Sequence, residues 1–409
     1  MYRRHCSVEV ILWGIILLIS PLSLFARSLN ENAEISLLTA TPIKGQLESL
    51  YGHTALRVND PEANIDYAFN YGVFGESLSG FETIVRAFTG TLRSEMWVLP
   101  FKDFLANTQT ENRTLREHKL YLQPDEKNII WQKLLHQAKK ENRQYTFDLF
   151  RENCTTFPRD LVMLRLGEKV ILPDYLGQVT HREINDRYIN PYPWIQLFED
   201  IVFGQKTNEK PSPFDGLYIP LELERAWLST YIKEADGSKR PLIASSILLI
   251  EGVSEKDYRE TLFTPLLCSL SLLVILIILS ILEWRKKVYF KWVDGILFGI
   301  TGLIGIVYYI FKIGDASWHA FGDWMILWIH PLHLVAAIFI IAKPRSKFLN
   351  IYHITNLLLL GFLMAGVFFL PQYYNQAFVP FMASLWLRSC MSLREREGYP
   401  PLGGKTTFP

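Results

Sequence analysis

Cysteine is scarce in this 409-residue sequence: Cys6, Cys154, Cys268 and Cys390 are all there is. Only Cys154 falls in the polar part of the chain, where no second cysteine stands ready to pair with it. Charge of one sign is lacking as well. Lys and Arg number 42 against 41 Asp and Glu, a net +1, which speaks against nucleic acid or an acidic polymer as partner. No His/Cys/Asp set stands at ligand spacing, and neither a phosphate loop nor a dinucleotide motif occurs. No metal and no other cofactor is expected.

What the sequence has in plenty is apolar runs, and they are unevenly placed. An apolar stretch over 10–25 follows Arg3 and Arg4 and ends at Ala26, the pattern of a secretory signal. Leu24 stands where a small residue is usual, so cleavage after residue 26 and retention as an anchor both stay open. Either way the chain from residue 27 leaves the cytoplasm. Residues 27–258 are mixed and charged like a soluble domain, and 259–409 hold five apolar stretches, about 262–283, 293–312, 324–342, 353–370 and 377–392. Each approaches the roughly 20 residues that cross a bilayer. Arg285, Lys286, Lys287 and Lys291 lie between the first two; Lys343, Arg345 and Lys347 lie between the third and fourth; Arg388, Arg394 and Arg396 follow the fifth. Positive loops stay inside. This predicts a multi-pass inner-membrane protein with its soluble domain on the periplasmic side and its C-terminus in the cytoplasm. On the outer side, Asp315, Ser317, Trp318, His319, Asp323 and Trp324 precede His330 and His333. They read either as an interfacial belt or as a floor beneath an active site, with His319 and His333 as binding candidates.

An odd cysteine in an oxidising compartment is either buried filler or a thiol with a use. Residues 145–163 read YTFDLFRENCTTFPRDLVM. Tyr145, Phe147 and Leu149 alternate as a short strand does, Glu152-Asn153 turns, and a helix is expected from Thr155. Pro158 suits only its first turn. Cys154 then sits at a helix N-terminus, where the dipole favours thiolate and free amides suit an oxyanion.

A thiolate nucleophile needs a base. His118 and His136 lie in charged stretches expected to be helical, while His53 opens a β-like run, YGHTALRV. A second run, IDYAFNYG over 65–72, follows an Asn-Asp-Pro turn. A hairpin pairing Val58 with Ile65 sets His53 opposite Asn70, which would orient the imidazole as the third member of a triad does. Asp66 is the rival orienter, although that register aims it at Arg57. Tyr51 and Asn153, beside these residues, are binding candidates. Farther along, Trp194, Phe198, Phe203, Phe214 and Tyr218 read as core or as a lipid-facing rim, and an amphipathic helix is expected over 221–232.

The order histidine, asparagine, cysteine is that of circularly permuted papain-like enzymes. ENCTTF with its upstream YGH resembles the Asn-Cys motif of lecithin:retinol acyltransferase relatives. YGHTALRV, IDYAFNYGVF, RENCTTF and the later MILWIHPLHLVAA together resemble the Bacteroidetes lipoprotein N-acyltransferase family, Lnb, over nearly all of 36–388. His330 departs from it, since related sequences favour Asn before that Pro. The resemblance implies an α+β, permuted papain-like extracytoplasmic domain followed by an α-helical five-span membrane domain. It implies a phospholipid as acyl donor, a diacylated lipoprotein as acceptor, and catalysis by Cys154, His53 and Asn70. A membrane-anchored cell-wall amidase would use the same thiol and base, and a receptor with a structural Cys154 is the non-enzymatic alternative.

Overall fold

The computed structural model describes residues 28–43, 49–74, 80–88, 90–252, 262–314, 323–366, 369–370 and 375–398. The expected signal and Asp315, Ser317, Trp318 and His319 lie outside them. The chain packs as two units, one of 1–77, 93–175 and 213–254, the other of 78–92, 176–212 and 255–409.

The first unit is built on a seven-stranded antiparallel sheet. Its order is β10 (Ile243–Ile250), β5 (Leu115–Leu120), β1 (Glu34–Ala40), β2 (His53–Asp60), β3 (Ile65–Val73), β4 (Arg93–Pro100) and β6 (Gln144–Thr146). Alternation sends Ile35, Leu37, Leu56, Val58, Phe69 and Tyr71 to one face. There they pack with Trp131 and Leu134 of helix Pro124–Ala138, Val162 of helix Thr156–Leu166, and Leu223 and Trp227 of helix Pro220–Leu228. Both tryptophans are fully buried, and truncating either to Ala would cost roughly 3–5 kcal/mol. The other face packs Leu38, Ala40, Ala55 and Ala68 against Phe101 and Phe104 of helix Phe101–Thr110. A small second sheet holds β7 (Val170–Ile171), β8 (Tyr231–Lys233) and β9 (Lys239–Pro241).

The β2–β3 hairpin forms, two residues out of the expected register. Asp60 pairs with Ile65, Val58 with Tyr67 and Ala55 with Asn70. The Asp60 carboxylate accepts from the Ala63 amide, and Asn64 turns left-handed at φ 57°. A one-turn 3₁₀ segment therefore closes the loop and lets β2 run on to Asp60. Two other expectations also change. His118 lies on β5, not on a helix, and is buried between Ser246 and Glu224. The expected helix over 221–232 ends at Leu228, and Tyr231–Lys233 is a strand.

In the second unit, four helical stretches among the described residues are long and apolar enough to cross a membrane: Pro265–Lys286, Lys291–Ile313, Trp324–Ala342 and Lys347–Gly366. Phe298, Met325, Ala336, Leu360 and Met382 are among the residues that fill its core. The fifth expected span lies in helix Phe378–Gly398, which charge keeps out of that set. Arg388 is not a loop residue. It is buried within that helix and paired with Glu283 at 2.6 Å and with Asp294. Helix Pro193–Val202 also belongs to this unit, with Leu197 and Ile201 packed on its core. The two packing units thus alternate along the chain. Among the aromatics left open between core and rim, Phe203 and Tyr218 are buried and Trp194 is exposed.

Candidate active site

Cys154 stands just outside the helix Thr156–Leu166, whose N-cap position is Thr155. Asn153 builds that helix start. Its side-chain oxygen accepts from the amides of Thr155 (2.7 Å) and Thr156 (3.0 Å), and its side-chain amide donates to the carbonyls of Leu149 (2.6 Å) and Tyr218 (3.2 Å). An Asx side chain preceding a helix takes up orphan amides in this way. Asn153, expected among binding residues, is therefore engaged within the protein at both ends. The amides expected to serve an oxyanion are the ones it occupies. From the sheet, the Thr54 hydroxyl donates to the Cys154 carbonyl at 2.5 Å, which ties the start of the helix to β2.

His53 and Asn70 meet as expected, although not directly opposite one another. His53 Nε2 lies 2.5 Å from Asn70 Oδ1. Only the ring N–H can donate to that carbonyl, so Nε2 carries the proton and Nδ1 is the basic nitrogen. The rival, Asp66, is held by Arg57 at 2.7 Å. Burial alone would raise the Cys154 thiol. The charge of His53 and hydrogen bonds from His53, the Thr54 amide and the Thr155 hydroxyl outweigh it, and the thiol comes down to about 7. Burial alone would lower His53. The Cys154 thiolate and its hydrogen bond, with help from Asn70 and against the nearby Arg113 cation, raise it above its ordinary value. Each group thus favours the charged form of the other, the condition for a thiolate–imidazolium pair. Such a pair can add sulfur to a carbonyl carbon and return a proton to a leaving group.

Gly72, with φ +83°, sits where the β3–β4 register shifts between Asn70 and Val73, a bulge beside Cys154. Bulges next to active sites re-aim neighbouring groups. Sequence reasoning placed Tyr145 on a strand but assigned it no role. Its hydroxyl is buried near Cys154, and its ring packs on Phe157 at 4.5 Å between centroids. Thr54 and Gly72 were missed too. The Gly after Tyr71 was the signal for a bulge, and Asn-Cys-Thr-Thr ahead of an apolar run was the signal for a cap.

Tyr51 is half-buried just ahead of β2. His333 is a buried tie in the membrane unit, its Nδ1 2.5 Å from the Tyr352 hydroxyl and its Nε2 2.7 Å from the Trp328 carbonyl. The His330 ring stacks on it at 4.1 Å. His319 lies outside the described residues, and among the described residues no group of His, Cys, Asp and Glu that could hold a metal occurs.

Two family models match the chain. The Lnb N-terminal periplasmic domain covers residues 26–185, and the Lnb transmembrane domain covers 257–397. No curated protein and no solved structure matches it.

Proposed function

Because this chain belongs to the Lnb family, with a periplasmic domain followed by a transmembrane one, we propose that it is a lipoprotein N-acyltransferase working through a thioester on Cys154. The observation that carries this reading is the half-buried Cys154 thiol at about 7 beside His53, on a domain tethered to membrane helices. The order His53, Asn70, Cys154 along the chain supports a permuted papain-like relationship as part of the same proposal.

Cys154 Sγ attacks an ester carbonyl of a phospholipid, and the S–C bond forms as the C–O bond breaks. His53 gives its proton to the departing lysophospholipid oxygen. The α-amine of an S-diacylglyceryl cysteine then attacks the thioester, His53 Nδ1 takes the amine proton, and the Cys154 thiolate leaves. Both substrates are membrane lipids or carry them. Spans that hold the thiol domain at the outer face of the inner membrane, with the C-terminus in the cytoplasm, suit them better than they suit a soluble cell-wall peptide.

The test is mass spectrometry of lipoprotein N-termini in a strain stripped of its own N-acylation. The wild-type gene should return the third acyl chain and Cys154→Ser should not. Termini left free by the wild-type gene would sink the reading, and cleaved cell-wall peptides in their place would point to an amidase.

A further inference from the structure

Addition of a thiolate to a carbonyl puts negative charge on the carbonyl oxygen, and donors aimed at that oxygen supply much of the rate. The helix start offers few. The amides of Thr155 and Thr156 are spent on the Asn153 side chain, and that of Phe157 on the Asn153 carbonyl at 3.3 Å. Pro158 has none. Among the described amides at this end of the helix that leaves the one of Cys154, and the Thr54 amide is turned to the sulfur itself.

One side-chain donor is held nearby without an acceptor. The Tyr145 hydroxyl is buried and finds no hydrogen-bond partner among the described residues, nor does the Ser94 hydroxyl across the ladder from it. Gly72 and Ser94 stand close enough to act on the phenol electrostatically, yet neither has hydrogen-bond geometry to it. An unmet buried hydroxyl is destabilising, a cost that a site can carry where a ligand atom will meet the group. The space for such an atom is present. A β-carbon placed on Gly72 would lie 3.5 Å from the Cys154 β-carbon and 3.9 Å from the Tyr145 hydroxyl. The missing side chain leaves a hollow between nucleophile and donor.

We propose that the Tyr145 hydroxyl is the side-chain oxyanion donor of this site, binding the acyl carbonyl oxygen in the hollow over Gly72. This rests on the acyl-transfer reading of Cys154. As the sulfur electron pair forms the S–C bond, the carbonyl π pair moves to oxygen. Tyr145 donates a hydrogen bond to that oxygen and keeps its proton. Collapse restores C=O and expels the leaving oxygen, which is protonated by His53. Burial and the nearby Cys154 raise the phenol above its ordinary value, which keeps the O–H in place throughout.

The experiment uses the full-length protein in detergent and two probes of Cys154. p-Nitrophenyl butyrate acylates the thiol through a tetrahedral oxyanion, whereas iodoacetamide alkylates it without one. Tyr145→Phe keeps the ring that packs on Phe157. It should slow the acylation burst by roughly 10²–10³-fold and leave the alkylation rate and its pH midpoint unchanged. 3-Fluorotyrosine placed at position 145 should restore acylation. Equal slowing of both probes would show a structural role and overturn the proposal, as would unchanged acylation or a fluorotyrosine that fails to rescue. Neither probe needs a lipoprotein. Free lipoprotein termini in the strain test would therefore defeat the biological reading while leaving this result to stand or fall separately.

Discussion

His53 and Asn70 meet along a diagonal of the β2–β3 ladder: Asn70 pairs directly with Ala55, yet its oxygen reaches His53 Nε2 at 2.5 Å. Residues two apart on a strand share a face, so a diagonal partner stays within reach. The link fixes which imidazole nitrogen is free. Asn70→Ala should leave Cys154 in place but let the ring turn, with kcat falling by roughly 10²-fold and KM little changed. Steady-state kinetics on a lipid or p-nitrophenyl ester checks the split. A change confined to KM would count against an orienting role.

The thiol at about 7 sets a pH dependence. The nucleophile is the thiolate, so the alkylation rate of Cys154 should rise as pH increases through about 7 and level off above it. His53→Gln removes the charge and hydrogen bond that offset burial. Its midpoint should move up by at least one pH unit, read from iodoacetamide kinetics between pH 5 and 10. A midpoint that stays in place would show that His53 is not the cause.

Asn153 can be tested apart from the chemistry. Asn153→Ala orphans the amides of Thr155 and Thr156 and the carbonyls of Leu149 and Tyr218. The loss should be about 1–3 kcal/mol of stability, read as a lower denaturation midpoint of the periplasmic unit. Asn153→Asp keeps the acceptor for the two amides and should recover part of it.

Glu224 gives the same unit an acid limit. Burial would raise its carboxyl, but hydrogen bonds from Arg116 and His118, and their charges, bring it down to about 2. A depressed carboxylate contributes stability above its unfolded value of about 4.3, and this contribution is lost as pH falls from there through about 2. The contribution is roughly 3 kcal/mol. Unfolding at a series of pH values should show this loss in the wild type, and Glu224→Gln should flatten it.

Arg388 anchors the membrane unit through Glu283 and Asp294. Arg388→Met leaves two buried carboxylates without their cation, with only the Phe290 amide on Glu283 and the Tyr289 hydroxyl on Asp294 as described donors, and should cost roughly 3–5 kcal/mol, seen as low yield or a lower melting temperature in detergent. Adding Glu283→Gln and Asp294→Asn should recover much of it. A triple variant as weak as the single one would show that packing, rather than charge, is what Arg388 supplies.

The contact of His53 with Asn70 was legible before the fold because its logic is one of parity. The expected hairpin was wrong by two positions, since Asp60 and Asn64 close a tighter turn than the Asn-Asp-Pro run suggests. An error of two leaves each side chain on its face, so His53 still found Asn70 and Arg57 still found Asp66. Cys154 at a helix start was legible from Pro158 and the apolar run after it. That Asn153 would use up the helix amides was harder to see, because capping depends on which acceptor arrives first. Tyr145 was invisible in its role, since a strand tyrosine gains one only from what stands across the fold. Arg388 was misread as a loop charge because a local run of sequence does not show the carboxylates, about a hundred residues away, that make it tolerable inside a helix.

The Arg388 cluster also bears on how the chain is made. Glu283 and Asp294 emerge from the ribosome long before residue 388, so the growing chain carries two acidic groups whose cation has yet to be synthesised. Their neutralisation waits for the helix Phe378–Gly398 to be delivered. Arrival of that helix, rather than insertion of the earlier ones, is then the event that locks this unit, and nascent chains stalled before it would present an unmatched acidic pair to the membrane quality-control machinery.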